Sequence, residues 1–386
     1  MKTLKKVVIA PDSFKESLSA LEVAEAIERG FRQVYPQAQY VKLPMADGGE
    51  GTVDSMVAAT GGEIVRVEVM GPLGQPVQAF YGLLGDGETA VIEMAAASGL
   101  HLAPKALRDP RITTSYGTGE LILAALERGV KAIILGIGGS ATNDGGAGMM
   151  QALGARLLDD KQNPLLPGGA ALAQLAQIDL SEVDPRLQQV SVTAACDVDN
   201  PLCGPHGASA VFGPQKGATP EMVTQLDSAL SHFGSLLQQA TGREVINTPG
   251  AGAAGGMGAA LLGMLNARLR PGIEIVIETL RLEEALCDAD LVITGEGRLD
   301  SQSIHGKTPI GVARVAKRHG LPVIGIAGSL SKDYQVVHQH GIDAAFSVLD
   351  RIVTLDEALT EAADNLEVTA RNVAAVWQLA QGQNMA

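Results

Sequence analysis

Three apolar runs near the end of the sequence decide its fold class: DLVITG (290–295), PVIGIAG (322–328) and AAFSVL (344–349). Each run has the length of a buried strand and ends at polar or glycine residues. Helical segments are predicted to begin between and after these runs, near Thr308, Ser331 and Thr354. Thr308 precedes a proline, and Thr354 forms a capping box with Glu357, which are both signals of a helix start. Strands and helices that alternate at this spacing predict a parallel sheet covered by helices.

The beginning of the chain repeats this pattern. KVVIA at 6–10 predicts a buried strand, and Ser19 with Glu22 forms an S-x-x-E capping box before a helix. A second strand is predicted at 39–43, and a glycine-rich loop then leads into a helical stretch that ends near Ala59. These two β-loop-α units predict that the N-terminal end also belongs to an α/β domain.

The length of 386 residues exceeds one typical domain of about 150 residues. Roughly between residues 67 and 270, the sequence changes to short strands punctuated by glycine and proline, helices rich in glycine and alanine, and long loops. We therefore predict a second domain at 67–270, flanked by residues 1–66 and 271–386. The pattern alone leaves open whether the two flanks join one sheet.

Charge and composition narrow the class of protein. Forty-three acidic against 29 basic residues give a net charge of -14, which disfavours a nucleic acid or an anionic membrane as a partner. The apolar runs are too short for a signal peptide core or a membrane helix. The three cysteines, which form no CxxC pair, fit a reducing compartment. We expect a folded, soluble protein of the cytoplasm, and the sequence leaves open whether it forms a homo-oligomer.

Glycine is the compositional outlier, with 46 residues that cluster in loops after predicted strands. Ligands of open α/β sheets bind beyond the carboxyl ends of the strands, so these loops are the candidate sites. The loop at 46–52 contains Asp47, Gly48 and Gly49, and its glycines allow close approach of a phosphate to the backbone. The loop at 11–17 supplies Lys15 as a cation directly after the first strand.

The densest glycine loop follows the predicted strand KAIILGIG and spans 138–148. Its residues Gly139, Ser140, Asn143 and Asp144 form a candidate nest for an anion. The loop also begins with a variant of the nicotinamide-nucleotide fingerprint, but the acidic residue expected about 20 positions later would stand in the polar turn LLDDKQN instead of at a strand end.

A complete G-x-G-x-x-G occurs at Gly250, Gly252 and Gly255, with no convincing strand before it. Two interpretations remain open for this segment: phosphate binding, or the start of a helix that packs tightly against a neighbour.

Two further loops carry charged candidates. Asp197 and Asp199 follow the predicted strand QVSVTAA, and two nearby carboxylates suit a magnesium ion. Downstream, Lys216 stands between glycines and offers a point charge for a phosphate or a carboxylate.

The last candidate loop, at 295–308, lies between a predicted strand and a helix. It supplies both signs of charge near the helix start through Gly295, Glu296, Arg298, Asp300 and Lys307. Its end resembles a Walker motif, except that Ser301 stands where the motif requires glycine. The loop therefore predicts a phosphate site that differs from a standard P-loop.

Seven blocks together resemble the bacterial type I glycerate kinases: APDSFKESLSA, PMADGGEGT, GIGGSATNDGGAGMMQALGA, CDVDNPLCGP, FGPQKGA, PGAGAAGGMGAAL and GEGRLDSQSIHGKTP. The resemblance extends from about residue 4 to about residue 375. It implies ATP-dependent phosphorylation of D-glycerate with Mg²⁺, and 2-phosphoglycerate as the favoured product over the 3-isomer. It also implies a Rossmann-like domain made of both chain ends, an inserted α/β domain, and an active-site cleft between them.

On this basis the candidate residues receive hypothetical roles. Asp197 and Asp199 hold Mg²⁺, or Asp197 accepts the hydroxyl proton. Four cations neutralise phosphate and carboxylate charge: Lys15, Lys216, Arg298 and Lys307. The glycine loops and their acidic and amide residues hold ATP. The alternatives are a nicotinamide-dependent hydroxy-acid oxidoreductase, which the two glycine fingerprints favour, and a small-anion binding protein without catalytic activity.

Overall fold

The computed structural model describes residues 4–382. Their contacts divide the chain into two compact units. The first unit contains residues 4–47, 54–61 and 273–382, and the second contains residues 48–53 and 62–272. Each unit has a hydrophobic core of its own, built around a sheet.

The strands are β1 Lys6–Ile9, β2 Gln39–Lys42, β3 Glu63–Met70, β4 Pro76–Leu83, β5 Thr89–Glu93, β6 Ala132–Gly136, β7 Arg156–Leu158, β8 Gln177–Asp179, β9 Ser191–Ala195, β10 Arg268–Arg270, β11 Leu291–Thr294, β12 Arg298–Leu299, β13 Val323–Ala327, β14 Ser329–Leu330 and β15 Ala344–Ser347. The α-helices are α1 Ala20–Arg32, α2 Thr52–Thr60, α3 Ala95–Ser98, α4 Tyr116–Glu127, α5 Ala147–Ala152, α6 Ala208–Phe212, α7 Pro220–Thr241, α8 Ala253–Gly263, α9 Gly272–Thr279, α10 Leu282–Leu286, α11 Thr308–Arg318, α12 Leu355–Thr360 and α13 Ala362–Ala380. Short 3₁₀ helices connect several of these elements.

The sheet of the first unit shows whether the two ends of the chain join one sheet. Its strand order within the described chain is β15-β13-β11-β1-β2, and all neighbours are parallel. The N-terminal strand β1 therefore lies beside the C-terminal strand β11, with Val8 opposite Val292. Both ends of the chain contribute to one parallel sheet, so the predicted α/β fold class is confirmed.

Helices α1 and α13 pack closely in the first unit. A Cβ atom on Gly30 of α1 would lie 2.3 Å from the backbone oxygen of Glu367, so only glycine permits this approach. Both predicted capping boxes are present, at Ser19 before α1 and at Thr354 before α12. Because a capping box satisfies orphan N–H groups through residues three positions apart, the local sequence is enough to predict it.

The sheet of the second unit has the order β10-β9-β6-β5-β4-β3 in the part of the chain that the structure describes. Strands β10, β9, β6 and β5 are parallel, and the β3–β4 hairpin extends the sheet in antiparallel fashion. The carboxyl ends of the four parallel strands consequently lie at one edge. The glycine and aspartate loops that follow β6 and β9 meet there.

One predicted helical segment takes the 3₁₀ form. The segment after Ser331 forms a 3₁₀ helix, Tyr334–His340, instead of an α-helix. The preceding Ser329–Leu330 is held extended by pairing with β12, which leaves a short connection to β15. Seven residues of 3₁₀ helix span about 14 Å, against about 10 Å for an α-helix, so the tighter helix covers more of this connection.

The second glycine fingerprint serves close packing. A Cβ atom on Gly252 would lie 2.2 Å from the backbone oxygen of Pro201, and one on Gly255 would lie 2.0 Å from that of Thr142. Gly255 also has a φ of 69°, a conformation that favours glycine. These glycines bring the start of α8 against neighbouring backbone, which is the second of the two interpretations left open by the sequence.

No helix within residues 4–382 combines the length and the apolar content that a membrane crossing requires.

Candidate active site

Two loops meet at the carboxyl edge of the sheet in the first unit. The backbone N–H of Asp12, after β1, donates to the backbone oxygen of Gly295, after β11, at 2.8 Å. Gly295 is required because a Cβ atom there would lie 1.8 Å from the backbone oxygen of Ile326. The parallel pairing of β1 with β11 thus joins the predicted loops at 11–17 and 295–308.

Asp12 is the best-anchored carboxylate of this edge. Its Oδ2 accepts from Oγ1 of Thr308 at 2.6 Å, and its Oδ1 accepts from the backbone N–H of Ser13 at 2.7 Å. Burial and then the charge of Asp47 raise the pKa of Asp12 to about 6, against the hydrogen bonds and Lys15. The predicted residues Asp47 and Lys15 therefore act electrostatically on one carboxylate that the sequence analysis had not singled out.

Glu296 and Lys307 form an ion pair in the same unit, with Oε2 and Nζ 3.4 Å apart. Oε1 of Glu296 accepts from Oγ of Ser303 at 2.5 Å. Burial raises the pKa of Glu296, although Ser303 and Lys307 oppose this effect. Lys307 is also the N-cap residue of α11, so its cation stands where a helix begins.

Arg298 and Asp300 form a second pair, with Nε and Oδ2 3.2 Å apart. The Arg298 side chain is 64% exposed and the Asp300 side chain 11%, so the carboxylate is sheltered while the cation faces solvent. Lys15 is exposed as well. Because these cations are already exposed to solvent, they can bind an anionic ligand without a structural change that uncovers them.

The second unit centres on the loop after β6. Gly139 has a φ of 72° and is exposed, whereas Ser140 is buried. Nζ of Lys216 donates to Oγ of Ser140 at 2.7 Å and to the backbone oxygen of Thr142 at 2.6 Å. Lys216 is 2% exposed, and burial lowers its pKa to about 7 against the charge of Asp144.

The side chain of Asp144 is fully buried and holds the loop from inside. Its Oδ2 accepts from the N–H and Oγ of Ser115, at 2.9 and 2.8 Å, and from the N–H of Gly148 at 3.3 Å. Its Oδ1 accepts from the N–H of Gly146 at 3.1 Å. This carboxylate therefore organises the loop and the start of α5.

Asn143 lies beside Asp144 and is fully buried, with Nδ2 donating to Oγ of Ser209 at 2.9 Å. Within the described chain, Oδ1 of Asn143 and Oγ1 of Thr142 are buried and have no hydrogen-bond partner. Buried polar atoms without partners are rare, and both of these belong to the loop whose Thr142 backbone oxygen accepts from Lys216.

Asp197 and Asp199 are exposed after β9. Oδ1 of Asp197 accepts from the N–H of Gly272, the first residue of α9, at 3.1 Å. Among residues 4–382, no three His, Cys, Asp or Glu side chains are arranged to hold a metal ion. Protein sites for Mg²⁺ in phosphoryl transfer commonly use one or two carboxylates together with substrate phosphates, and this aspartate pair fits that donor set.

The predicted loop at 46–52 is divided between the units, since Asp47 belongs to the first and Gly48 and Gly49 to the second. Gly48 has a φ of 93°, and a Cβ atom on it would lie 2.6 Å from that of Ala195 at the end of β9. The loop backbone thus runs against the carboxyl edge of the second sheet, as a close approach by glycine predicts.

A buried carboxylate that the sequence analysis missed lies at this edge. Glu93 ends β5, is 7% exposed and accepts from the N–H of Val53, at the start of α2, at 2.9 Å. An acid at the end of the apolar run TAVIE was the available signal.

The structure thus brings the predicted residues together in two groups. The first unit contains Lys15, Asp47, Gly295, Glu296, Arg298, Asp300 and Lys307. The second contains Gly48, Gly49, Gly139, Ser140, Asn143, Asp144, Asp197, Asp199 and Lys216. Both groups combine glycine loops, acids and cations beyond the carboxyl ends of parallel strands, which is the arrangement of an α/β protein that handles an anionic ligand.

Comparisons with known proteins identify the family. A family model described as the glycerate kinase family matches residues 7–378. The glycerate kinase of Bacillus subtilis strain 168 is 62% identical over 376 residues, which cover 97% of this chain and 98% of the relative. The glycerate 2-kinase of Escherichia coli K12 is 62% identical over 370 residues, which cover 96% and 97%. The chain belongs to the glycerate kinase family.

A solved structure agrees with this membership. The crystal structure of a candidate glycerate kinase 2 from Salmonella typhimurium LT2 matches with a TM-score of 0.92 at 61% identity, covering 98% of this chain and 100% of that chain. The resemblance seen in the sequence is therefore confirmed. The oxidoreductase and the non-catalytic binding protein are not favoured by these comparisons.

Proposed function

We propose that this protein phosphorylates D-glycerate with ATP and forms 2-phosphoglycerate. The observation that carries the proposal is the 62% identity to the Escherichia coli glycerate 2-kinase across 96% of this chain. The chemistry of the loops supports it, because phosphoryl transfer requires positioned N–H groups, cations and carboxylates more than covalent chemistry by the protein.

The first unit is proposed to supply charge for anionic groups. Lys15, Arg298 and Lys307 are the cations, and the paired acids Asp300 and Glu296 hold Arg298 and Lys307 in place. Arg298 suits a carboxylate or phosphate because its planar guanidinium group can donate two parallel hydrogen bonds. Gly295 contributes by keeping the loop close to β13.

The second unit is proposed to hold the metal and the nucleotide phosphates. Asp197 and Asp199 would bind Mg²⁺, which when bound neutralises charge on the phosphate oxygens. The backbone of Gly48, Gly49 and Gly139 would face phosphate oxygens, since these residues lack the side chains that would block approach. Asn143 and Asp144 would shape the loop from inside.

The experiment is an assay of the purified full chain with Mg-ATP and D-glycerate. We expect ADP to form only when both substrates are present, and phosphorus NMR to identify 2-phosphoglycerate as the product. L-glycerate and a reaction without acceptor are the controls. Absence of ADP at any glycerate concentration would overturn the kinase proposal, and a 3-phosphoglycerate signal would overturn the regiochemistry alone.

A thermal-shift titration separates the remaining alternatives. A ligand that binds the native state raises the melting temperature, so Mg-ATP should stabilise the protein and NADH should not. The predicted cleft, the absence of nucleic-acid and membrane partners, the cytoplasmic location and any homo-oligomer stay predictions.

A further inference from the structure

The side chains of Ser140 and Lys216 are in direct contact at the edge of the second sheet. Nζ of Lys216 lies 2.7 Å from Oγ of Ser140, and the lysine is 2% exposed. Ser140 is buried and follows directly after the exposed glycines Gly138 and Gly139, so its hydroxyl group lies just behind the turn that a ligand would reach. The lysine comes from a separate element, the 3₁₀ helix Pro214–Lys216.

The surroundings of Lys216 favour an uncharged amine. Its hydrogen bonds go to the neutral oxygens of Ser140 and Thr142. Burial lowers the pKa of Lys216 to about 7, and the charge of Asp144 opposes this shift. The Asp144 carboxylate accepts its hydrogen bonds from Ser115 and backbone N–H groups instead.

Arg108 is a further charged residue near the 3₁₀ helix. A Cβ atom on Gly217, the residue after Lys216, would lie 2.5 Å from the backbone oxygen of Arg108. Its guanidinium group donates to the backbone oxygens of Ala103 and Gln215 at 3.0 and 3.5 Å.

A neutral lysine satisfies both observed contacts. In the neutral form, one N–H of the amine would still donate to the backbone oxygen of Thr142, and the 2.7 Å contact with Ser140 would reverse, with the nitrogen lone pair accepting the hydroxyl proton. This is the relation of a nucleophile or proton carrier to its base in serine–lysine sites. A charged lysine held only for electrostatics would gain more from a carboxylate partner or an exposed position.

We propose that Ser140 and Lys216 form a serine–lysine dyad that removes the proton from the acceptor hydroxyl group during phosphoryl transfer. The hydroxyl proton passes to Oγ of Ser140 while the proton of Ser140 passes to Nζ of Lys216. The freed oxygen forms its bond to the γ-phosphorus as the bond from that phosphorus to the ADP oxygen breaks. Lys216 becomes an ammonium group, and it returns the proton to solvent after product release.

This inference rests on the proposed function and changes one role that was predicted from the sequence. Lys216 acts in its neutral form as a base, whereas the sequence analysis made it a cation for phosphate. The carboxylates Asp197 and Asp199 keep the role of magnesium ligands.

The test measures kcat against pH from 5.5 to 9 for the full chain with saturating Mg-ATP and D-glycerate. We expect the wild-type rate to rise with pH and to level off above about pH 7, as Lys216 loses its proton. Lys216→Met should lower kcat by about 10²- to 10⁴-fold and leave a residual rate that no longer rises with pH in this range. Lys131→Met, at an exposed lysine paired with Glu88, is the matched control and should keep the wild-type profile.

Two further variants separate the base from a cation and from a packing residue. Lys216→Arg keeps a charge but cannot accept a proton near neutral pH, so it should be as inactive as Lys216→Met. Ser140→Ala should lower kcat at least about 10-fold with the affinity for ATP unchanged by calorimetry, while Ser140→Thr retains the hydroxyl group and most of the activity.

The outcomes distinguish the two proposals. An inactive wild-type chain would overturn the proposed function itself. If the wild type is active, either of two results would overturn only the dyad. One is a folded Lys216→Met variant whose kcat still rises with pH, and the other is a fully active Lys216→Arg variant. If melting curves show that the lysine variants do not fold, the serine variants decide at pH 8. A kcat of Ser140→Ala equal to that of the wild type overturns the dyad. A lower kcat in Ser140→Ala that returns towards the wild-type value in Ser140→Thr supports it.

Discussion

Oδ2 of Asp12 accepts a hydrogen bond of 2.6 Å from Oγ1 of Thr308, a residue 296 positions later in the chain. The contact joins the loop after β1 to the first residue of α11, at the edge where β1 and β11 end. The Asp12 carboxylate is therefore held by a hydrogen bond, and the charges of Asp47 and Lys15 act on it with opposite effects on its pKa.

Removing the Thr308 hydroxyl group should destabilise the protein. We expect Thr308→Val to lower the free energy of unfolding by about 1 to 3 kcal/mol at pH 8, because an ionised Asp12 then loses a charge-assisted hydrogen bond. Urea unfolding measures this loss. Thr308→Ser keeps the donor and is the matched control, which should stay within about 1 kcal/mol of the wild type. Equal stabilities of the valine and serine variants would contradict a contribution from this bond.

The raised pKa of Asp12 predicts a pH-dependent effect of Asp12→Asn. Because the folded-state pKa is about 6 and the reference value is 3.8, the neutral carboxyl group contributes stability that is present below pH 3.8 and lost as the pH rises through about 6. Asparagine stays neutral throughout. The difference in unfolding free energy, variant minus wild type, should therefore become more positive from pH 4 to pH 7.5.

Asp86→Asn provides a control of opposite sign for that measurement. Burial tends to raise the pKa of Asp86, but hydrogen bonds from Glu88 and Thr89 outweigh it and hold the pKa below 3.8. The charged form therefore contributes stability above pH 3.8, and the variant should lose it there. A flat difference for Asp12→Asn across this range would contradict the assignment.

The close approach at Gly295 predicts strong intolerance of a side chain. In Gly295→Ala the new Cβ would lie 1.8 Å from the backbone oxygen of Ile326, so β11 and β13 would have to separate. We expect a loss of about 3 kcal/mol or more, or no folded protein. Gly297→Ala, where the nearest atom would be 3.6 Å away, should cost less than about 1 kcal/mol. Similar denaturation curves for both variants would show that the loop relaxes freely.

Asp197→Asn tests the proposed magnesium site. The amide oxygen can still accept from the N–H of Gly272, so the fold should persist, while the lost charge weakens binding of Mg²⁺. We expect the Mg²⁺ concentration for half-maximal activity to rise about 10-fold or more, with a lower kcat. The exposed turn residue Asp160 supplies a control in Asp160→Asn. An unchanged Mg²⁺ requirement would remove Asp197 from the metal site.

Local elements were predictable where neighbours along the chain determine them. The capping boxes at Ser19 and Thr354 depend on a partner three residues away, and both are present. The helical segment predicted near Ser331 is a 3₁₀ helix that begins only at Tyr334, and the preceding Ser329–Leu330 is held extended by β12, a strand from an earlier loop. Pairing between distant segments overrides local preference in such places.

The candidate site shows the same division. The candidate loops were predicted from glycine, acidic and basic residues that follow predicted strands, because ligands of open α/β sheets bind beyond the carboxyl ends of the strands. The sequence could not tell that Asp144 turns inward to Ser115, or that burial and the charge of Asp47 raise the pKa of Asp12. Glu93 was not predicted as a buried carboxylate because an acidic residue after an apolar run resembles an ordinary strand end.

The sequence by itself determined the α/β class and the family resemblance, and it predicted the candidate loops, because periodicity and ordered motifs are properties of neighbouring residues. Only the tertiary structure decided that strands from both chain ends form one parallel sheet, that Gly255 serves packing, and that Lys216 is buried against Ser140. The physical reason is that burial, and with it the charge state of a lysine or a carboxylate, depends on which distant segments surround the group.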